Sequence, residues 1–270
     1  MPPLVTSSSN PRVKALVRLR NRRHRDGTGR FLVEGYRELA RALEAQIELE
    51  ELYYCPPLFL GENEPGLLER AEVAGAALVE LGESAFRRAS FRDRPEGLLG
   101  VARQFGIGLE LLRPGANPLL LVVESIEKPG NLGTMLRTAH AAGADGVLVC
   151  DPATDVFNPN VVRASIGALF LMPLAIVTSE EAQAWLRDRD IGSFAATPSA
   201  QLRHWEADYR AGSALVVGSE QYGLSTGWLQ GASQRVRIPM QGQADSLNAA
   251  MAAGILLFEA LRQRHRAKVP

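Results

Sequence analysis

Three polar clusters in this sequence have the residue types and spacing to do chemistry. One is ESIEKPGNLGTMLRTA, residues 124–139. Asn131 follows Pro129 and Gly130 at a helix start, where an asparagine also serves as a cap. Arg137 lies further along that helix among Met135, Leu136, Thr138 and Ala139, so its charge is directed at something specific. Another is VVGSEQYGLS, residues 216–225, in which Gly218 and Gly223 flank Glu220 just after a strand. Glycine there either lets a backbone approach a ligand or simply makes a turn. The last is residues 235–262, RVRIPMQGQADSLNAAMAAGILLFEALR. Val236 and Ile238 give a short strand that Pro239 stops. Gly242 allows a turn, and Asp245 or Ser246 can cap the helix that follows. Leu247, Ala250, Met251, Gly254, Leu257, Phe258 and Leu261 recur on one face of that helix. Small residues from Ala249 to Gly254 keep part of it slim enough for another backbone to lie close. Gln241, Gln243, Asp245, Ser246 and Asn248 bunch at the junction, where first-turn amides are unpaired. The junction is thus a ligand loop or only the capped start of a packing helix.

Several other chemistries lack their signals. No GxGxxG follows a strand and no GxxxxGK[ST] occurs, which argues against a dinucleotide fold or a phosphate loop. His24, His140, His204 and His265 lie in unrelated contexts, and no Ser/His/Asp set stands out. Cys55 and Cys150 are the only cysteines, so neither a zinc site nor a disulfide framework is indicated, and no metal is expected. The 270 residues are 46% hydrophobic, with 30 basic and 30 acidic side chains. Bulk charge therefore announces no nucleic acid; such a partner must use a local patch. No apolar run reaches membrane-spanning length, and MPPLVTSSSNPR has no signal-peptide core. A soluble protein of the reduced cytoplasm is the expectation.

The elements that must position these clusters alternate between strand and helix. Residues 10–25 predict one helix, capped by Asn10 with Pro11 in its first turn. Arg12, Lys14, Arg18, Arg20, Arg22, Arg23 and Arg25 surround its apolar stripe. That face is either merely solvated or a contact surface for RNA phosphates. Strands follow at 31–33, 47–54, 77–81 and 98–104, with helices at 35–45, 64–74 and 84–90, a small α/β unit. Phe86 and Phe91 beside Arg87, Arg88, Arg92 and Arg94 belong to the core or stack on unpaired bases. Residues 106–118, rich in Gly and Pro, interrupt the pattern and mark the boundary between domains 1–112 and 113–270. In the second, strands are expected at 119–123, 146–150, 174–177, 191–196 and 214–217. Helices are expected at 130–142, 160–169, 179–189 and 226–229. An apolar run such as 119–123 suits a buried parallel strand. Three loops at the carboxyl ends of such strands form one crevice.

Together the three clusters resemble the SpoU (TrmH-type) RNA ribose methyltransferases of the SPOUT superfamily. The matching positions are Pro129, Asn131, Gly133 and Arg137; Gly218, Glu220, Gly223, Leu224 and Ser225; and Ile238, Pro239, Met240, Ser246, Leu247 and Asn248. Ser165, Gly167 and Ala168 resemble a smaller element of the same family. Lys128 departs from the aspartate usual before Pro129. FLVEGYREL and RPEGLLGVA are similar to the ribosomal-protein-like RNA-binding domain these enzymes often carry. The whole also resembles the subgroup that includes the thiostrepton-resistance methyltransferases of 23S ribosomal RNA. The resemblance implies an α/β fold with a C-terminal parallel-sheet SPOUT domain, threaded into a trefoil knot, and a homodimer. It implies transfer of a methyl group from S-adenosylmethionine to a ribose 2′-hydroxyl of RNA, foremost 23S rRNA. The alternatives are transfer RNA as substrate, a base methyltransferase of the same superfamily, or a catalytically idle RNA-binding protein. Asn131, Arg137, Glu220, Ser246 and Asn248 are then the catalytic set. Ala196, Thr197, Gly218, Glu220, Ile238, Met240, Ser246 and Leu247 hold the cofactor. Arg12, Lys14, Arg18, Arg20, Arg22, Arg23, Arg25, Arg87 and Arg88 contact the RNA.

Overall fold

The computed structural model describes residues 4–243 and 245–266. Its first part carries β1 (Leu4–Val5), α1 (Pro11–Arg18), α2 (Arg22–Thr28), β2 (Arg30–Glu34), α3 (Tyr36–Glu44), β3 (Leu49–Tyr54), α4 (Glu64–Val73), β4 (Ala77–Leu81), α5 (Glu83–Ala89) and β5 (Leu98–Arg103). There follow β6 (Leu119–Glu124), α6 (Pro129–Ala141), β7 (Gly146–Cys150), α7 (Pro159–Ser165), β8 (Leu174–Val177), α8 (Ser179–Arg187), β9 (Gly192–Ala196), β10 (Leu202–Arg203), β11 (Ser213–Val217), α9 (Thr226–Gly231), β12 (Gln234–Arg237) and α10 (Ala249–Arg266). The strands expected at 77–81, 146–150 and 174–177 occur with those bounds. The two-residue strands β1 and β10 are too short for any periodicity to reveal.

The chain divides into two compact units. One runs to Phe105 and includes Asp155–Leu171; the other is Gly106–Thr154 with the residues from Met172 on. The segment Asp155–Leu171, which by sequence falls within 113–270, thus packs with the first unit. Phe157 and Phe170 from that segment meet Phe31 and Phe105, with Phe31 and Phe157 ring centroids 4.9 Å apart.

The first unit is built on a mixed sheet of order β1-β4-β3-β5-β2, with β3 and β2 antiparallel to β5. α1 lays Val13 and Leu16, and α5 lays Phe86, on a core shared with Leu32, Tyr53 and Leu99. Phe86 is fully buried, so it is a core residue and offers no stacking face to RNA. The single helix expected over 10–25 is two. Asn10 accepts from the Arg12 amide at 2.9 Å and starts α1; Asn21 accepts from the Arg23 amide at 2.9 Å and starts α2. A second asparagine able to cap, next to a buried Leu19, ends the first helix early.

In the second unit every strand pair is parallel, in the order β10-β12-β9-β11-β6-β7-β8. The apolar run 119–123 is β6, near the middle of the sheet and buried along its length. α10 packs on α6, where a Cβ added to Gly254 would sit 3.5 Å from the Thr138 methyl, so the slim stretch does bring another helix close. Cys55 and Cys150 are free and buried. Burial pushes the Cys150 thiol well up, which keeps it protonated and inert. Among the described residues no helix is long and apolar enough to cross a membrane.

Candidate active site

In the parallel sheet, β12, β9, β11 and β6 are successive neighbours, so the loops that leave their carboxyl ends converge. A cavity of about 370 Å³ opens there. Ala196 and Thr197 reach it from the end of β9, Gly218 and Glu220 from the end of β11, and Ile238, Met240, Ser246 and Leu247 from the β12–α10 connection. All eight residues that the sequence grouped around a cofactor therefore line one space. Sequence reasoning missed Tyr222, Leu229, Ala249 and Ala252, which line it too. Tyr222 stands exposed in the Glu220 loop, and Ala249 and Ala252 lie on the first turn of α10. The run of small residues is a signal for the two alanines, but in sequence it points only to room for a helix.

Asn248 fixes the polar side of the site. It, rather than Asp245 or Ser246, caps α10: its Oδ1 accepts from the amides of Ala250 at 2.9 Å and Met251 at 3.3 Å. With Oδ1 engaged by the helix, Nδ2 is turned outward and donates to Asn131 Oδ1 at 3.1 Å. Asn131 Nδ2 in turn donates to Glu220 Oε1. Each amide orientation follows from the one before, so the α10 N-terminus sets the direction of the whole relay. Glu220 Oε2 is buried, and no group among the described residues pairs with it. A buried carboxylate oxygen left open beside a cavity is the feature expected where a ligand completes the bonding.

Arg137 is different. It is solvent-exposed on α6, does not line the cavity, and makes no hydrogen bond or ion pair among the described residues. A six-residue step along a helix also turns the side chain well away from Asn131. The structure thus brings together Asn131, Glu220 and Asn248, while Ser246 stands exposed at the cavity rim and Arg137 apart from it.

Gly218 has a role other than making room for a ligand. A Cβ there would overlap the Gly223 carbonyl. The loop folds back on itself: Ser219 and Gly223 exchange both backbone hydrogen bonds, at 3.1 and 3.0 Å, and Gly223 takes φ +68°. The glycine pair is needed to close the loop that carries Glu220.

The basic residues of the first unit divide. Lys14, Arg18, Arg23 and Arg88 are exposed, and α1 packs against α5, the helix that carries Arg87 and Arg88. Arg12 approaches Glu51 at 3.9 Å, Arg22 pairs with Asp26 at 3.4 Å and Arg87 with Glu83 at 2.8 Å, all at the surface. Arg20 instead donates to the carbonyls of Arg88, Ala89 and Ser90 at the end of α5. Arg25 is 1% exposed and pairs with Asp155 at 2.6 Å while donating to the carbonyls of Leu19 and Arg20. Arg25 is buried with four of its five N–H groups bonded inside the unit, so it cannot reach a phosphate, a correction to its place in the basic face.

The chain is similar to known proteins in sequence and fold. The SpoU rRNA Methylase family model matches residues 118–258, and an MRM3-like substrate binding domain model matches residues 10–100. A 23S rRNA (uridine(2479)-2′-O)-methyltransferase of Streptomyces viridochromogenes is 32% identical over 91% of this chain and 87% of its own. The crystal structure of an RNA 2′-O ribose methyltransferase is 44% identical over 97% of this chain and 99% of its own, with a TM-score of 0.87. An AdoMet-bound rRNA methyltransferase from Sinorhizobium meliloti is 32% identical over 99% of this chain and 98% of its own, also with a TM-score of 0.87. With its catalytic-domain match centred on the three polar clusters, the chain belongs to the SpoU rRNA methylase family.

Proposed function

We propose that this protein transfers a methyl group from S-adenosylmethionine to a ribose 2′-hydroxyl of ribosomal RNA, with 23S rRNA as the substrate. The observation that carries the reading is the Asn248–Asn131–Glu220 relay beside a cavity that holds an open carboxylate oxygen. The cavity suits the cofactor chemically. Val217, Leu224, Leu229 and Ile238 offer apolar walls for an adenine and a thioether chain, and Glu220 and Asp245 offer negative charge to a sulfonium. When bound, S-adenosylmethionine supplies a methyl group already activated on sulfur. The remaining task is to hold the hydroxyl in line with it, to let the hydroxyl proton pass to the adjacent phosphate or to water, and to stabilise the charge that develops on oxygen. Asn131, locked between Asn248 and Glu220, orients the ribose. Arg137 carries a guanidinium, a poor base by type, so it stabilises the developing alkoxide and anchors the adjacent phosphate. It is exposed and bonds to no other side chain or carbonyl among the described residues, which leaves it available to RNA.

In this reading the first unit selects the RNA with Lys14, Arg18, Arg23 and Arg88, and its fold is of the ribosomal-protein-like kind. The C-terminal segment is threaded as a trefoil knot, a reading supported by β12 lying beyond β9 while α10 returns to α6 and β11. The active form is a cytoplasmic homodimer, a reading supported by Leu247, Met251 and Phe258, which stay exposed on or beside α10. Calorimetry with S-adenosylmethionine, and mapping of 2′-O-methyl groups in RNA from cells with and without the gene, test the function. Absence of cofactor binding, together with identical methylation maps, would reject it.

A further inference from the structure

Behind the cavity a ring of hydrogen bonds joins the end of β6 to the starts of α8 and α9, groups that the reaction chemistry does not itself use. Glu124 is the last residue of β6 and only 4% exposed. Its Oε2 accepts from the Ser225 amide at 2.8 Å, and its Oε1 accepts from Ser179 Oγ at 3.0 Å. Ser179 Oγ also accepts from Trp228 Nε1 at 3.0 Å, and the Trp228 amide donates to Ser225 Oγ at 3.4 Å. The circuit Glu124–Ser225–Trp228–Ser179 closes on Glu124 through the single Ser179 hydroxyl proton, which Glu124 shares with Asp151 Oδ2 at 2.6 Å. Trp228 is fully buried in the core of the second unit, so the ring is anchored in rigid packing.

The ring lies directly against the cavity wall. Leu224 precedes Ser225 and Leu229 follows Trp228, and both leucines line the cavity. The loop that carries Glu220 starts at Gly218, closes on itself between Ser219 and Gly223, and ends at Ser225. One end continues from β11; the other is held through the Ser225 amide by Glu124. A charged acceptor for a backbone amide makes a stronger tether than a neutral one.

We propose that Glu124 is a positioning residue: it clamps the Gly218–Ser225 loop, and so sets where Glu220 and the leucine walls meet the cofactor. This rests on the cavity being the S-adenosylmethionine site. Glu124→Ala removes the acceptor of the Ser225 amide. Glu124→Gln keeps it through Oε1, and its Nε2 can donate to Ser179 Oγ, which then gives its own proton to Asp151 Oδ2, 2.6 Å away.

The test compares Glu124→Ala, Glu124→Gln and Ser179→Ala by calorimetry with S-adenosylmethionine, by amide exchange at Ser225 and by thermal denaturation. Losing the charge-assisted bond should weaken cofactor binding about tenfold in Glu124→Ala and speed Ser225 exchange by a similar factor. Glu124→Gln should stay within about twofold of wild type, and Ser179→Ala should fall between. A purely structural role would lower melting temperature while leaving affinity and Ser225 exchange as in wild type, and that outcome overturns the proposal. Should Glu124→Ala not fold, Ser179→Ala decides: unchanged affinity and exchange overturn the clamp. If the wild-type protein itself fails to bind S-adenosylmethionine, the functional reading falls, while Ser225 exchange still reports on the clamp.

Discussion

The two units handle polar side chains in opposite ways. In the second, Asn131, Glu220 and Asn248 bond to one another at a cavity edge and leave one carboxylate oxygen open. In the first, the densest run of arginines in the chain is partly consumed by the fold. Arg25 is buried with Asp155, Arg20 closes the end of α5, and Arg92 is held by Glu38, Glu96 and the Glu34 carbonyl. An arginine that looks like an RNA contact in sequence can thus be a brace in structure, and burial separates the two. The second unit teaches the converse. Its site residues are individually ordinary caps and turn formers, and their meaning comes from mutual hydrogen bonding at one end of a parallel sheet.

The largest effect should follow from breaking the brace. Arg25→Ala leaves Asp155 and two backbone carbonyls unpaired, and breaking a buried pair costs about 3–5 kcal/mol. Thermal denaturation should show a large fall in melting temperature or no soluble protein. Residues 1–112 made alone should fare no better, since they lack Asp155, Phe157 and Phe170. A wild-type-like melt for Arg25→Ala would mean that the comparison between the units is drawn wrongly.

At the site the same deletion should act on chemistry. Asn131→Ala and Arg137→Ala should each lower methyl transfer by about 10²–10³-fold, the scale for losing one polar group that stabilises a transition state. Cofactor affinity and melting temperature should hardly move in Arg137→Ala, because Arg137 is exposed; Asn131→Ala also frees Glu220, so its turnover should fall much further than its affinity. Single-turnover rates with modified-nucleoside analysis, beside calorimetry, separate the two effects. Equal turnover in wild type and Arg137→Ala would remove the arginine from the mechanism.

Much of this is legible in the sequence, for reasons that can be located. The run 119–123 announces a buried strand because a parallel strand covered on both faces needs no polar alternation. The clusters after β6, β11 and β12 are visible because loop chemistry is local: Asn131 near Gly130, Glu220 between glycines, Asn248 before a small-residue helix. What stays hidden is long-range. Nothing near Arg25 reveals that Asp155, 130 residues on, neutralises it, and nothing near residue 112 reveals that Asp155–Leu171 packs with the first unit. The α10 cap is misassigned from sequence because Asp245, Ser246 and Asn248 are all good caps by type. Only the position of the first helical amide chooses Asn248.

A smaller effect is expected at Gly218. Its substitution by alanine or valine does not simply crowd the ligand, because the added Cβ meets the Gly223 carbonyl and must open the loop. Gly218→Ala should weaken S-adenosylmethionine binding about tenfold through displacement of Glu220 and Leu224, with little loss of global stability, since loops tolerate rearrangement better than strands. Calorimetry beside a thermal melt checks this. Unchanged affinity would mean that the loop shape does not matter to the cofactor.

The smallest effect, and the one that sharpens the comparison most, concerns the exposed half of the basic run. Lys14, Arg18 and Arg23 have no ion-pair partner among the described residues and lie at the surface of α1 and α2. Replacing all three with Gln removes charge without touching the core. For every phosphate no longer neutralised, the dependence of log affinity on log salt should flatten by about 0.7–0.9. RNA binding at moderate salt should weaken, while cofactor affinity and melting temperature stay as in wild type. Arg20→Gln is the matched control on the same run. It strips the α5 terminus of its donor to the carbonyls of Arg88, Ala89 and Ser90, so it should lower the melting temperature and leave the salt slope nearly intact. If the triple variant keeps the wild-type slope, the RNA face lies elsewhere on the first unit, and Arg87, Arg88 and Arg94 at and beyond the end of α5 are the next residues to neutralise.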